Sequence, residues 1–249
     1  MNVKSVIPRR MKLRAMPILH AIRGASIKGS NRYCPVCKQS CSSFGPAGIV
    51  PRPDAQCGVC GSLERHRFAW LFLQSRAELF REPRGKMFLH IAPEPCLESA
   101  LLRALGKAYL TADLCHPNAM IKMDITSIVY PDDSFDHIYC SHVLEHVKAD
   151  RLALSEFYRV LRPGGWAVIC VPIVAPVTEE DDSIDTPDAK LLHYGDPTHV
   201  RNYGPDFSDR LAEVGFSVQV LSPSDLFSDR ERTRMGLTEA TGDIYFCRK

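Results

Sequence analysis

The run "FLHIAPEPCLESALLRALGKAYLTADL", residues 88–114, alternates in a way that decides the architecture of most of the chain. "FLHIA" is short, apolar and unbroken, the pattern of a strand buried on both faces. "CLESALLRALG" then repeats leucine at helical spacing and stops at Gly106. "AYLTADL" is again strand-like and runs through Asp113. Strand, helix and strand within this length make a βαβ unit, whose two strands lie parallel in one sheet.

The alternation continues outward. "AMIKMDIT" reads as a strand ending at Asp124, and "FDHIYCSHVLEHV" as a strand passing into loop or helix. "ADRLALSEFYRVLRPGG" reads as a helix stopped by Pro163-Gly164-Gly165, "WAVICVPI" as a buried strand and "DFSDRLAEVGF" as a helix. "SVQVLS" and "DIYFCR" are late strands. This predicts an α/β domain over 86–249, a doubly wound and mostly parallel seven-stranded sheet. In such sheets ligands sit beyond the carboxyl ends of the strands. That rule singles out Asp113 and Asp124. An acid about twenty residues after the first strand suits a ribose diol, and a second at the next strand end suits an amine-bearing base.

Ahead of this domain the composition shifts. Residues 1–53 carry ten Lys/Arg and no Asp or Glu, so the formal charge of +2 hides a remainder with 21 basic and 29 acidic residues, a net of −8. The arm at 1–30 reads as a solvated tail, with attraction to nucleic acid or an organelle transit peptide as alternatives. "MPILHAI" is too short and interrupted for a secretory core, and no apolar run has the length of a membrane span. Cytoplasmic residence is the expectation.

Between 31 and 67, Cys34-x-x-Cys37 and Cys57-x-x-Cys60 stand nineteen residues apart, with glycines and prolines at the knuckles. Two such loops turn four thiolates toward one point, the S₄ set of a structural zinc ribbon, with Cys41 either a substitute for Cys37 or a free thiol. Residues 68–85 read as a linking helix. Just before it, Arg65, His66 and Arg67 of "ERHR" suit a structural cluster or, alternatively, a substrate anion.

With these motifs in order, the chain resembles the class I S-adenosylmethionine-dependent methyltransferases, of the type 11-like kind, which have a Rossmann-like sheet. "FDHIYCSHVLEHV" and "RVLRPGG" carry most of the likeness. A bacterial-type branch with an N-terminal zinc ribbon and the "ERHR" joint is closer still. The resemblance implies that Asp113 holds the ribose hydroxyls, Asp124 the adenine amine and Ile125 an adenine face, with Leu114 beside Asp113. It also puts Ser141 and His142 near the methyl donor.

The family's glycine-rich first loop is replaced by Leu89-His90-Ile91-Ala92-Pro93-Glu94-Pro95-Cys96. His90, Ala92, Pro93 and Glu94 are the donor-site candidates there, with Glu94 facing the ammonium group. S-adenosylmethionine has no phosphate, so the missing glycines argue against a pyrophosphate cofactor more than against a methyl donor.

Methyl transfer needs positioning and often one base. His199 is the expected base, His142 a second candidate, and Arg201 an anchor for the substrate. A polar loop at 178–190 has the makings of a lid. "LEH" closes the fourth-strand loop in the family. Its alternative role, implied by the similar segment of ubiquinone-pathway O-methyltransferases, is a divalent metal on His142, Glu145 and His146. Their i, i+3, i+4 spacing would place them on one helix face. The expected activity is O-methylation of a small molecule or sugar. Methylation of RNA or another nucleic acid, gripped by ribbon and arm, and a catalytically inactive binding module are the alternatives.

Overall fold

A computed structural model of the chain describes residues 18–20, 22, 29–76, 79–80 and 86–249. The basic arm at 1–30 lies almost wholly outside them, as does part of the 68–85 segment. Along the chain, four short strands come first: β1 (Arg32–Cys34), β2 (Gln39–Cys41), β3 (Gly45–Ala47) and β4 (Arg52–Gln56). Helix α1 (Glu64–Ser75), strand β5 (Phe88–Ile91), helix α2 (Pro95–Leu105) and strands β6 (Tyr109–Asp113) and β7 (Ile121–Lys122) follow. Then come β8 (Phe135–Ser141), α3 (Asp150–Val160), β9 (Leu161–Cys170), α4 (Pro187–Tyr194) and α5 (Phe207–Glu213). The last elements are β10 (Ser217–Leu221), α6 (Pro223–Leu226), α7 (Asp229–Met235) and β11 (Ile244–Arg248).

The chain forms two compact units. The first gathers residues 1–83, 94–107 and 223–241; the second gathers 84–93, 108–222 and 242–249.

In the first unit, β1–β2 and β3–β4 are antiparallel hairpins that present the four cysteines. α1 starts at Glu64, inside the "ERHR" joint, because His66 Nδ1 accepts the backbone N–H of Leu63 at 3.1 Å. An imidazole here does what a carboxylate does in a capping box. Arg67 is fully buried and spends its guanidinium on four carbonyls. It donates to Ala55 and Ser62 at 3.0 and 2.9 Å, and to Met235 and Gly236 at 2.6 and 2.8 Å. Phe44 lies under the same group, 4.2 Å from ring centroid to Cζ. Gly236 has φ +61, and a Cβ there would meet Phe44 and Arg67 below 3.0 Å. Within the motif, His66 caps the helix and Arg67 is committed to backbone.

The second unit is one seven-stranded sheet in the order β10-β11-β9-β8-β5-β6-β7. β5 lies parallel to both β6 and β8, β8 to β9, and β6 to β7; β11 is antiparallel to β9 and β10. The doubly wound α/β sheet expected from the sequence is therefore present, with one antiparallel strand. Alternate residues of the central strands, Leu89, Ile91, Ile138, Cys140, Ala167 and Ile169, enter one core with Leu154 and Phe157 of α3 and with Phe207 and Leu211 of α5. Each leucine, isoleucine and phenylalanine among them contributes about 1.5–3 kcal/mol by leaving water.

Two expectations shift. α3 ends at Val160, before Pro163-Gly164-Gly165, and Leu161 already pairs with Phe135. The next pair is His137 with Trp166, so 162–165 bulge opposite Asp136, and a Cβ on Gly165 would strike the Asp136 and Arg162 carbonyls. The "AMIKMDIT" strand shortens to Ile121–Lys122, because Asp124 turns the chain by accepting from Thr126.

Candidate functional site

The strand order reverses between β5 and β8: β6 and β7 extend to one side, β9 to the other. At this switch point the residues just past β5 and β8 are Ala92 and His142, and both have left-handed backbone, φ 48 and 54. Their N–H groups are held by Ala112 O and Cys170 O, each at 2.8 Å. Both strand ends turn away sharply, which opens a cavity of about 290 Å³ beyond them. The size lies at the small end of the range for small-molecule sites.

Asp113, Leu114, Asp124 and Ile125, all expected from the sequence, line this cavity with Ala92 and His142. Asp113 Oδ1 accepts from the backbone N–H groups of Cys115 and His116 at 2.7 and 2.6 Å, which fixes the carboxylate at the rim. Asp124 Oδ1 accepts from the Thr126 N–H and hydroxyl, both at 2.8 Å, and these bonds hold its carboxyl below the usual range. In each carboxylate the local turn occupies Oδ1. Met123, Val143 and Val147 give the cavity apolar walls, and His146 also lines it. Met123 and the two valines carried no signal in the sequence beyond ordinary core spacing.

Other expected residues stand elsewhere. His90 is fully buried in β5, where Nδ1 pairs with Tyr109 Oη at 2.7 Å, so it forms sheet interior and not cavity wall. Pro93 is buried, and Glu94 starts α2 with its carboxylate 3.8 Å from His66 Nε2. The Ser141 hydroxyl is buried without a hydrogen-bond partner.

Arg201 is not free to anchor a substrate. It is 3% exposed and donates to the carbonyls of Leu144 and Lys148 at 2.9 and 2.8 Å, to Val147 O, and to Glu180 at 2.9 Å. Arg210 bridges Asp150 and Glu180 at 2.8 and 3.0 Å, and Asp150 also accepts from the Tyr203 hydroxyl at 2.7 Å. A second recess of about 480 Å³ runs along these residues, but its arginines are already paired. Burial works against the Glu180 charge, yet the bonds from Arg210 and Arg201 outweigh it and hold its pKa below the usual range.

Past β8, Leu144–His146 form one 3₁₀ turn and not an α-helix, so His142, Glu145 and His146 do not share a helix face. Glu145 is 1% exposed, with Oε1 3.3 Å from His142 Nδ1. His146 instead meets His199, ring edge to ring face with centroids 4.7 Å apart. Burial holds the His199 pKa below that of a free imidazole, which favours the neutral ring.

In the first unit, Cys34, Cys37, Cys57 and Cys60 place their Sγ atoms within 4.8 Å of one another, a group able to hold a metal ion. The Cys34–Cys60 and Cys37–Cys57 separations are 3.6 and 3.8 Å. Four sulfurs at about 2.3 Å from one ion stand about 3.8 Å apart in a tetrahedron, so the set fits a zinc-sized site. Without an ion the thiols share protons: bonding from Cys37 lowers Cys34 to about 7, and bonding from Cys34 lowers Cys57. Cys37 and Cys60 are raised in exchange, first by Cys34.

Residues 97–169, from α2 to the end of β9, match the type 11 family described as "Methyltransferase domain". Demethylmenaquinone methyltransferase of Clavibacter sepedonicus is 32% identical over 107 residues, 37% of this chain and 44% of that one. The enzyme of the same name from Streptomyces avermitilis is 47% identical over 47 residues, 19% of this chain and 20% of that one. The chain thus spans less than half the length of the curated relatives it matches. The crystal structure of an S-adenosylmethionine-dependent methyltransferase from Mesorhizobium loti covers 72% of this chain and 97% of its own, at 19% identity and a TM-score of 0.49. No helix among the described residues is long and apolar enough to cross a membrane.

Proposed function

We propose that the chain is an S-adenosylmethionine-dependent methyltransferase acting on a small-molecule acceptor, by our reading a hydroxyl of a small molecule or sugar. The observation that carries this is the convergence of Asp113 and Asp124 at the rim of one apolar-walled cavity at the switch point. Two acceptors flanking Leu114, Met123 and Ile125 match a ligand with a ribose diol, an amine-bearing base and no phosphate. When bound, S-adenosylmethionine supplies an electrophilic methyl group. The chain orients it: Asp113 accepts from the ribose hydroxyls, Asp124 from the adenine amine, and Ile125 covers the ring.

The acceptor belongs at the imidazole end, beside His142 and His146. The relatives are named for demethylmenaquinone, itself a small molecule. Zinc in the four-thiol site stabilises the first unit, since four thiolates leave no open position for chemistry.

Calorimetry with S-adenosylmethionine and S-adenosylhomocysteine tests this directly. Binding is expected at micromolar ligand, weakened at least tenfold in Asp113→Asn and Asp124→Asn. A wild-type protein that takes up no donor at millimolar concentration would be a binding module and not an enzyme.

A further inference from the structure

His199 reaches the cavity end of the sheet from a segment far along the chain, yet one donor atom each from Glu145, His146 and His199 lie within 4.8 Å of one another. Glu145 is 1% exposed, and its Oε2 is buried with no hydrogen-bond partner. An ionised carboxylate oxygen in that state is costly unless a cation completes it. Two imidazoles and one carboxylate are the donors that first-row divalent metals take, and such a set leaves further positions open.

The neighbouring segment prepares His146 for the same task. Thr198 gives its only hydroxyl proton to Asp196 Oδ1 at 2.5 Å, and the Thr198 N–H joins the same oxygen at 2.8 Å. Thr198 Oγ1, 2.9 Å from His146 Nδ1, is left as an acceptor. His146 must therefore carry its proton on Nδ1, which leaves the Nε2 lone pair for a ligand. A carboxylate acting through a hydroxyl on an imidazole is the outer shell that metal-binding histidines use.

From these contacts we infer that Glu145, His146 and His199 bind one divalent first-row transition-metal cation, with Asp196 and Thr198 as positioning residues. His142 stands outside the set and faces the other Glu145 oxygen. This donor set differs from the i, i+3, i+4 triple in the sequence because the 3₁₀ turn separates His142 from His146 and a second segment supplies the third ligand.

The consequence for chemistry rests on the methyltransferase reading; the binding site does not. His146 lines the cavity, so an open position on the cation meets the acceptor hydroxyl there. Coordination lowers the pKa of that hydroxyl. Its proton passes to solvent, its oxygen forms a bond to the donor methyl carbon, and the sulfur leaves with the electron pair of the broken C–S bond.

The test is Co²⁺ titration of full-length protein whose thiolate site is already filled with zinc. One further equivalent of Co²⁺ is expected, with d–d absorption and no thiolate charge-transfer band. His146→Ala and His199→Ala should each weaken it at least tenfold, and Thr198→Val by about tenfold. His193→Ala, outside the set, should change nothing. His146 is exposed and His199 half-buried, so these variants fold even where Glu145→Gln does not. No Co²⁺ beyond the zinc, or uptake unchanged in both histidine variants, overturns the site. Donor calorimetry on the same samples separates the two readings: donor binding without Co²⁺ sinks the metal site alone, and Co²⁺ uptake without donor binding sinks methyl transfer alone.

Discussion

Ala92 stands where the resemblance leads one to expect glycine, and its φ of 48 is the conformation glycine would adopt without strain. A non-glycine residue there costs about 1–2 kcal/mol. Ala92→Gly should therefore stabilise the protein, by up to about 1 kcal/mol after the extra chain entropy, read as a higher midpoint in urea. A drop in that midpoint would show that the loop draws its stability from the methyl group. Asp113 and Asp124 were legible because strand ends can be counted from apolar runs. The saturation of Arg201 was not, since three of its partners are backbone carbonyls in a turn more than fifty positions away. The approach of His199 to His146 was hidden for the same reason: each segment reads as an ordinary polar loop until the fold brings them together.

Among the elements, the 178–204 segment depends on Glu180, which holds Arg201 and Arg210 at once. The folded pKa of Glu180 lies below its unfolded value. Its contribution is thus present above the unfolded pKa, near 4.3, and is lost as pH falls through the folded value. Wild type and Glu180→Gln should differ in urea midpoint at pH 7 and converge as the pH drops below about 4. A constant gap across that range would assign the effect to packing. In α3, Phe157 is fully buried, and Phe157→Ala should cost about 3–5 kcal/mol by the same denaturation measurement. The periodicity of α3 was plain in the sequence, but its end was not: Pro-Gly-Gly reads as a helix stop, whereas Leu161 had already joined the sheet as β9.

For the whole molecule, the mostly parallel sheet followed from alternating strands and helices, and the four cysteines from their spacing. The division into units did not, because the first unit draws on three separated stretches of chain. Zinc removal is the experiment at this scale. A thiol reagent that strips the metal should unfold the first unit, with release of about one zinc per chain and loss of helical circular dichroism from α1. Cys34→Ser with Cys60→Ser should behave alike. Retention of full structure after complete zinc loss would make the ion incidental.

The buried guanidinium of Arg67 ties Ala55 and Ser62 to Met235 and Gly236, and so binds an early part of the chain to a late one. During synthesis the β1–β2 and β3–β4 hairpins emerge early, but their unit is not whole until the ribosome has passed Thr241. The sheet waits longer, for β11 to slide between β9 and β10. Both halves draw on the last stretch of the chain, so a premature stop codon anywhere before residue 223 yields two incomplete cores at once.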